Sequence, residues 1–149
     1  MELEFRKATW SDGEVVFTAL RELQDKPLFT LKTFEAYWGQ IISGEFGKCD
    51  VWLAFCDGIV CAYILANYYP IPRYLGVGIE LEEIVTLPVY QRKGIGRTFI
   101  QFLVAHYSRE NTCRKITVKT DDHAGSGKLY AELFGLSEMR FYQKFLNKI

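Results

Sequence analysis

The sequence carries no net charge: 18 lysines and arginines balance 18 aspartates and glutamates over 149 residues. A neutral chain has no global field to gather nucleic acid, and only the local basic cluster at 92–97 points that way, so no nucleic-acid partner is expected. No apolar run reaches the ~18 residues of a membrane span, so no membrane partner is expected either. Met1 to Lys7 lacks the basic-then-apolar order of a secretory leader, which makes a cytoplasmic protein the expectation. Cysteine is scarce. Cys49, Cys56, Cys61 and Cys113 form no C-x-x-C pair, which argues against zinc and for reduced core thiols. His106 and His123 are the only histidines, and no metal constellation emerges. There is no repeat, no low-complexity tract and no linker rich in Pro, Gly or Ser, so residues 1–149 are expected to form one domain.

What is present is ordinary for a globular chain: 49% hydrophobic and 24% charged residues. The aromatic share, 15%, is high and suggests a dense core plus an aromatic-lined cavity or interface. Residues 2–8 read as a strand. Ser11 and Glu14 have capping-box spacing, and Val15, Val16, Ala19, Leu20 and Leu23 follow at helical intervals. A second helical pattern covers 31–43 and ends at Gly44. Apolar strands at 50–56 and 59–66 flank Asp57-Gly58, a type I′ hairpin signal that would set Cys56 against Ile59 and Cys61 against Ala54. Residues 67–78 read as a loop with tyrosines and prolines, 79–87 as a strand, 94–107 as an amphipathic helix, 114–120 as a strand, 124–134 as a helix and 138–146 as a closing strand. The order β-α-α-β-β-β-α-β-α-β predicts a mixed α/β sheet, mostly antiparallel, with helices on both faces.

The segment richest in chemistry runs from Leu81 to Arg97. A strand ends, a short loop carries Gln91-Arg92-Lys93-Gly94-Ile95-Gly96, and a helix begins. A helix start offers unpaired N–H groups and about half a positive charge. Gly94 and Gly96 let a ligand approach the backbone, and Arg92, Lys93 and Arg97 add charge, so the loop suits a pyrophosphate. It is neither a P-loop nor the dinucleotide G-x-G-x-x-G, because Phe99 stands at the third glycine position.

With its surroundings this segment resembles the GNAT superfamily of N-acetyltransferases, whose acetyl-CoA signature is Q/R-x-x-G-x-G/A. Glu82 to Tyr90 is similar to that family's fourth strand and Pro-x-Tyr turn. Ala8 to Asp12 resembles its entry into the first helix, and Leu129 to Leu136 its L-Y-E-K-x-G-F segment. The resemblance covers nearly the whole chain and implies a GNAT fold with strands four and five splayed. Acetyl-CoA would then lie against Ile84, Val85 and Thr86, with its pyrophosphate on the loop Gln91, Arg92, Lys93, Gly94, Ile95, Gly96 and the first turn at Arg97 and Thr98. His123 stands where the family often has Asn, which implies a cofactor contact. The spacing from Tyr130 to Gly135 is one residue longer than in the family.

Acetyl transfer to an amine requires an unprotonated amine, donors for an oxyanion and a proton for the departing thiolate. Glu82 aligns with the family's water-mediated base; Glu80, Glu83 and a water chain remain alternatives. Alternation would place Glu80 and Glu82 on one face of the strand and Glu83 on the other. Tyr130 is the candidate acid. Glu80, Glu83, Trp38, Tyr69 and Tyr74 are the candidate acceptor-binding residues, with Tyr37 as a further wall. The resemblance thus implies transfer from acetyl-CoA to a small-molecule amine acceptor, of cationic type. Protein N-terminal or lysine acetylation, and a non-catalytic acyl-CoA-binding module, are the alternatives. A homodimer is left open.

Overall fold

The computed structural model describes residues 1–23, 28–120 and 125–135. Its strands are β1 (Leu3–Lys7), β2 (Cys49–Cys56), β3 (Ile59–Ile71), β4 (Gly76–Thr86) and β5 (Cys113–Val118). Its helices are α1 (Gly13–Leu23), α2 (Leu31–Ser43), α3 (Ile95–Ser108) and α4 (Ser126–Phe134). Among the described residues the strands form one sheet in the order β1-β2-β3-β4-β5, antiparallel except for the parallel pair β4–β5. This is the expected mixed α/β architecture. The strand expected at 138–146 lies outside the described residues. Met1–Lys119 and Thr120–Ile149 form two compact units, and α4 belongs to the second. Among the described residues no helix is long and apolar enough to cross a membrane.

Two corrections concern the hairpins. Asp57 and Gly58 take φ of 50° and 81°, as a type I′ turn demands, and Cys56 faces Ile59. A bulge then sets Ala62, not Cys61, opposite Ala54. Cys61 is the extra residue, fully buried, and its thiol donates to the Ala54 carbonyl at 3.4 Å. Burial pushes that thiol up to about 11, and all four cysteines are free. The second correction is larger. Most of the expected loop at 67–78 is strand, because β3 continues to Ile71 and a short 3-10 turn, Pro72–Tyr74, leads into β4. Tyr68 and Tyr69 favour pleated backbone, and Pro70 forfeits only the one ladder bond its missing N–H would have made. Gly78 is required there: a Cβ on it would lie 2.2 Å from the Tyr69 ring.

The start of α1 also differs from expectation. Asp12, not Glu14, closes the cap, accepting the Thr9 N–H at 2.7 Å and the Thr9 hydroxyl at 2.9 Å. Arg6 grips the same carboxylate with both guanidinium nitrogens, at 2.8 and 2.9 Å, and holds it at about 2. The second helix follows the sequence reading over 31–43 and ends at Gly44, φ 78°; its start is capped by the Thr30 hydroxyl, which accepts from the Thr33 amide. Val16, Phe17, Phe34 and Trp38 of α1 and α2 pack on Val51, Leu53 and Tyr63 of one sheet face. On the other face α3 buries Phe99, Ile100 and Leu103 completely, and Phe5 stacks on Phe99 with ring centroids 5.0 Å apart.

Candidate active site

The site begins where the sheet opens. Parallel pairing of β4 with β5 runs from Val77 opposite Cys113 to Leu81 opposite Val118. Beyond Leu81, β4 continues from Glu82 to Thr86 with no β5 partner among the described residues, while its other edge stays paired to β3. Among the described residues the backbone groups along that edge have no strand partner on the β5 side. The pairs Leu65–Glu82 and Tyr63–Val85 leave Glu83 and Ile84 opposite the single residue Ile64, which is a bulge. Glu83 sits there at φ 49°, a left-handed conformation that costs a non-glycine residue about 1–3 kcal/mol.

The bulge overturns the expected alternation of the acids. Glu83 was expected on the face opposite Glu80 and Glu82. Its carboxylate instead accepts a hydrogen bond of 2.9 Å from the hydroxyl of Tyr63, a residue of the core beneath α1 and α2. Burial, together with the neighbouring carboxylate, pushes the Tyr63 phenol upward, so it remains a donor at neutral pH. Glu80 lies in register with Asn67 and Thr117 and is ion-paired to Lys119. Glu82 is exposed, lies opposite Leu65, and has neither an ion pair nor a hydrogen bond from its side chain among the described residues. One of the three acids is therefore held by a lysine, one by a tyrosine, and one is uncommitted.

At its C-terminal end β4 feeds the basic loop. Leu87 is buried, Pro88–Tyr90 make a 3-10 turn, and the Gln91 side-chain amide donates to the Thr86 carbonyl at 3.0 Å, tying the loop to the strand end. Arg92 at φ 59° and Gly94 at φ 79° turn the backbone into α3. The first i→i−4 bond of that helix runs from the Thr98 N–H to the Gly94 carbonyl at 3.0 Å, so the amides of Ile95 and Gly96 precede it. A Cβ on Gly94 would meet nothing within 4 Å, and one on Gly96 only the Thr86 hydroxyl at 3.5 Å. The Ile95 side chain is buried and anchors the turn, while Arg92, Lys93, Arg97 and Thr98 are exposed and the Lys93 ammonium lies 5.5 Å from the Tyr90 ring centroid. Space, leading amides and cationic side chains together fit a diphosphate.

The expected acceptor wall is rearranged. Trp38 is 3% exposed and its indole N–H donates to the carbonyls of Thr9 and Trp10 at 3.2 and 3.1 Å, so it is a packing residue with almost no surface left for an acceptor. The Tyr69 ring covers Gly78, with the Lys115 ammonium 5.7 Å from its centroid. Tyr74 stands exposed at the hairpin tip, beneath the Arg73 guanidinium. A cleft of about 370 Å³ instead opens between α2 and β3, lined by Tyr37, Ile41, Phe46, Leu65, Asn67 and Tyr68. Phe46 escaped the sequence reading. Its one signal was a large aromatic side chain set between Gly44 and Gly47.

Tyr130 lies on α4 in the second unit, and His123 lies outside the described residues. His106 packs edge-on against Trp52, 3.6 Å from a Glu110 carboxylate oxygen, as a structural residue would. Asp50 was also missed. One of its oxygens is held by Lys7 at 2.8 Å, Tyr68 at 2.7 Å and Tyr107 at 3.3 Å. Burial alone would raise that carboxyl, but these donors outweigh it and keep it below its ordinary value. Among the described residues no group of three or more His, Cys, Asp or Glu side chains could hold a metal ion.

The β4 edge beyond Leu81, the bulge and the glycine helix start together form one continuous track. The model of the acetyltransferase (GNAT) family matches residues 17–136, and the chain belongs to that family. An acetyltransferase from Trypanosoma brucei shares its fold at TM-score 0.77 and 19% identity, over 97% of this chain and 100% of the other. Glucosamine-6-phosphate N-acetyltransferase from Arabidopsis thaliana superimposes at TM-score 0.75 and 20% identity, over 99% and 100%. A predicted acetyltransferase with acetyl-CoA from Clostridium acetobutylicum does so at 0.70 and 14%, over 97% and 96%. At these identities the likeness is one of fold. No curated protein matches the sequence.

Proposed function

We propose that the protein transfers acetyl from acetyl-CoA to a primary amine of a small molecule that presents its nitrogen as an ammonium. The supporting observation is that the β4 edge Glu82–Thr86, without a β5 partner among the described residues, runs directly into the open, amide-rich start of α3. An elongated acyl carrier with a diphosphate suits that continuous track. Ile84, Val85 and Thr86 would hold its arm through their backbone. Gln91, Arg92, Lys93, Gly94, Ile95 and Gly96 would hold its diphosphate, with Arg97 and Thr98 in the first turn. Bound acetyl-CoA supplies an acetyl group activated as a thioester.

The chain's own residues do the rest. Glu82, uncommitted beside that edge, takes the proton from the incoming ammonium, directly or through water. Glu83 adds negative charge that favours an ammonium near the bulge, with Tyr63 fixing the direction of its carboxylate, while Glu80, its charge offset by Lys119, would line the acceptor side. The assignments of Tyr130 as proton donor to the departing thiolate and of His123 as a cofactor contact rest on the family resemblance alone. The test is the pair Glu82→Gln and Tyr130→Phe. Glu82→Gln is expected to lower kcat/KM by about 10²–10⁴-fold, with the loss shrinking as pH rises and free amine appears. Tyr130→Phe is expected to slow turnover while sparing acetyl-CoA affinity. Wild-type rates at every pH for either variant would remove that residue from the mechanism.

A further inference from the structure

We propose that the cleft between α2 and β3 receives a flat, uncharged apolar arm of the acceptor, so that the preferred substrate is a primary amine tethered through a short chain to an aromatic ring. This inference rests on the acetyl-transfer reading above.

Register places the cleft. Leu65 and Asn67 line it, and their β4 partners are Glu82 and Glu80. Adjacent strands lie about 4.8 Å apart, so an arm resting on Leu65 and Asn67 needs only a short tether to bring its nitrogen to the acids. The walls suit a ring. Tyr37 and Phe46 pack on each other with centroids 5.3 Å apart and planes tilted by 40°, forming one aromatic wall against which a ring can lie, while Ile41 and Leu65 add aliphatic surface. The cleft's roughly 370 Å³ is the size of a small-molecule site.

A second cation is disfavoured in this cleft. The Lys48 ammonium lies 4.0 Å from the centroid of the Tyr68 ring, so the aromatic face that would attract a cation is already used by one. A polyamine that set one nitrogen at Glu82 would push its next charge toward Lys48. The cleft's other reactive group, the Cys49 thiol, is pushed up by burial and by Asp50 and stays neutral at ordinary pH. It lines the cleft without adding charge.

The experiment compares 2-phenylethylamine, n-butylamine and spermidine as acceptors for the wild-type chain and for Phe46→Ala. Phe46 is 59% exposed, so its truncation leaves the fold intact, which a melting curve verifies. The expected result is a kcat/KM for 2-phenylethylamine above that for butylamine, with spermidine the poorest of the three. In Phe46→Ala the ratio of phenylethylamine to butylamine should fall about threefold to tenfold, chiefly through KM. A preference for spermidine, or a ratio unmoved by Phe46→Ala, would overturn the inference. Saturation-transfer NMR with 2-phenylethylamine is read in parallel. Ring contact that weakens in Phe46→Ala, without turnover of any amine, would uphold the cleft and sink acetyl transfer. Turnover of the amines without ring contact would uphold acetyl transfer and sink the cleft. Neither turnover nor contact would sink both.

Discussion

Gly96→Asp separates the proposed acetyl-CoA site from the fold, because the two effects have opposite signs. Gly96 lies in the first turn of α3 with no left-handed φ, and a Cβ there would meet only the Thr86 hydroxyl, at 3.5 Å. Replacing a helical glycine recovers a few tenths of the ~1 kcal/mol it costs relative to alanine. A carboxylate in the first turn adds about 0.3–1 kcal/mol through the helix dipole. The free protein should therefore be more stable by about 0.5–1 kcal/mol. For binding, the carboxylate fills the space beside the Ile95 and Gly96 amides and repels a diphosphate, and a loss of about 100-fold corresponds to about 2.7 kcal/mol. The assay is thermal melting with acetyl-CoA at 100 times the wild-type Kd, where ligand stabilises the wild type by about 2.7 kcal/mol. At 149 residues this is a rise of about 5–11 °C. The variant would then sit near its own Kd and gain only about 0.4 kcal/mol, a shift of about 1–2 °C. A Gly96→Asp protein that melts no lower than wild type and keeps the full ligand shift would refute the placement of the diphosphate.

Two further predictions concern stability. Arg6 holds the Asp12 carboxyl at about 2, below its ordinary 3.8, so its contribution is present above pH ~4 and disappears as pH falls through about 2. Asp12→Asn should be less stable than wild type by about 1–2 kcal/mol at pH 7, a figure reduced for the half-exposed Arg6, and chemical denaturation should show the gap closing toward pH 2. Leu103, fully buried on the sheet-facing side of α3, should cost about 2–5 kcal/mol when changed to Ala, read from the urea midpoint at unchanged slope.

Local signals carried most of the architecture. Gly44 ends α2, Asp57-Gly58 makes its hairpin, and the spacing of Phe99, Ile100 and Leu103 forecasts the buried side of α3. Most of the misreadings share a cause: a partner on another strand decided them. The tyrosines at 68 and 69 become strand because β4 is there to pair with, which outweighs the prolines around them. The cap is a local exception: Thr9 and Asp12 close the 3-10 turn Trp10–Asp12 ahead of α1, and Arg6 of β1 holds the same carboxylate. Strict alternation failed for Glu83 because a bulge opposite Ile64 is a property of two strands, and neither sequence alone shows it. At the site, the glycine loop was legible because a helix start, two glycines and adjacent basic residues are contiguous. The cleft between α2 and β3 was legible only through Tyr37, because Phe46 and Leu65 meet it only in the folded chain.

The central claim is acetyl transfer to an amine, and one measurement addresses it most directly: thiol release from acetyl-CoA by the wild-type chain in the presence of 2-phenylethylamine, n-butylamine or spermidine, with the amine product weighed by mass spectrometry. The account predicts amine-dependent thiol release matched mole for mole by an amine one acetyl group heavier. Saturable acetyl-CoA binding with no amine-dependent release and no acetylated product, across all three amines and across pH, would contradict it and leave an acyl-CoA-binding module in its place.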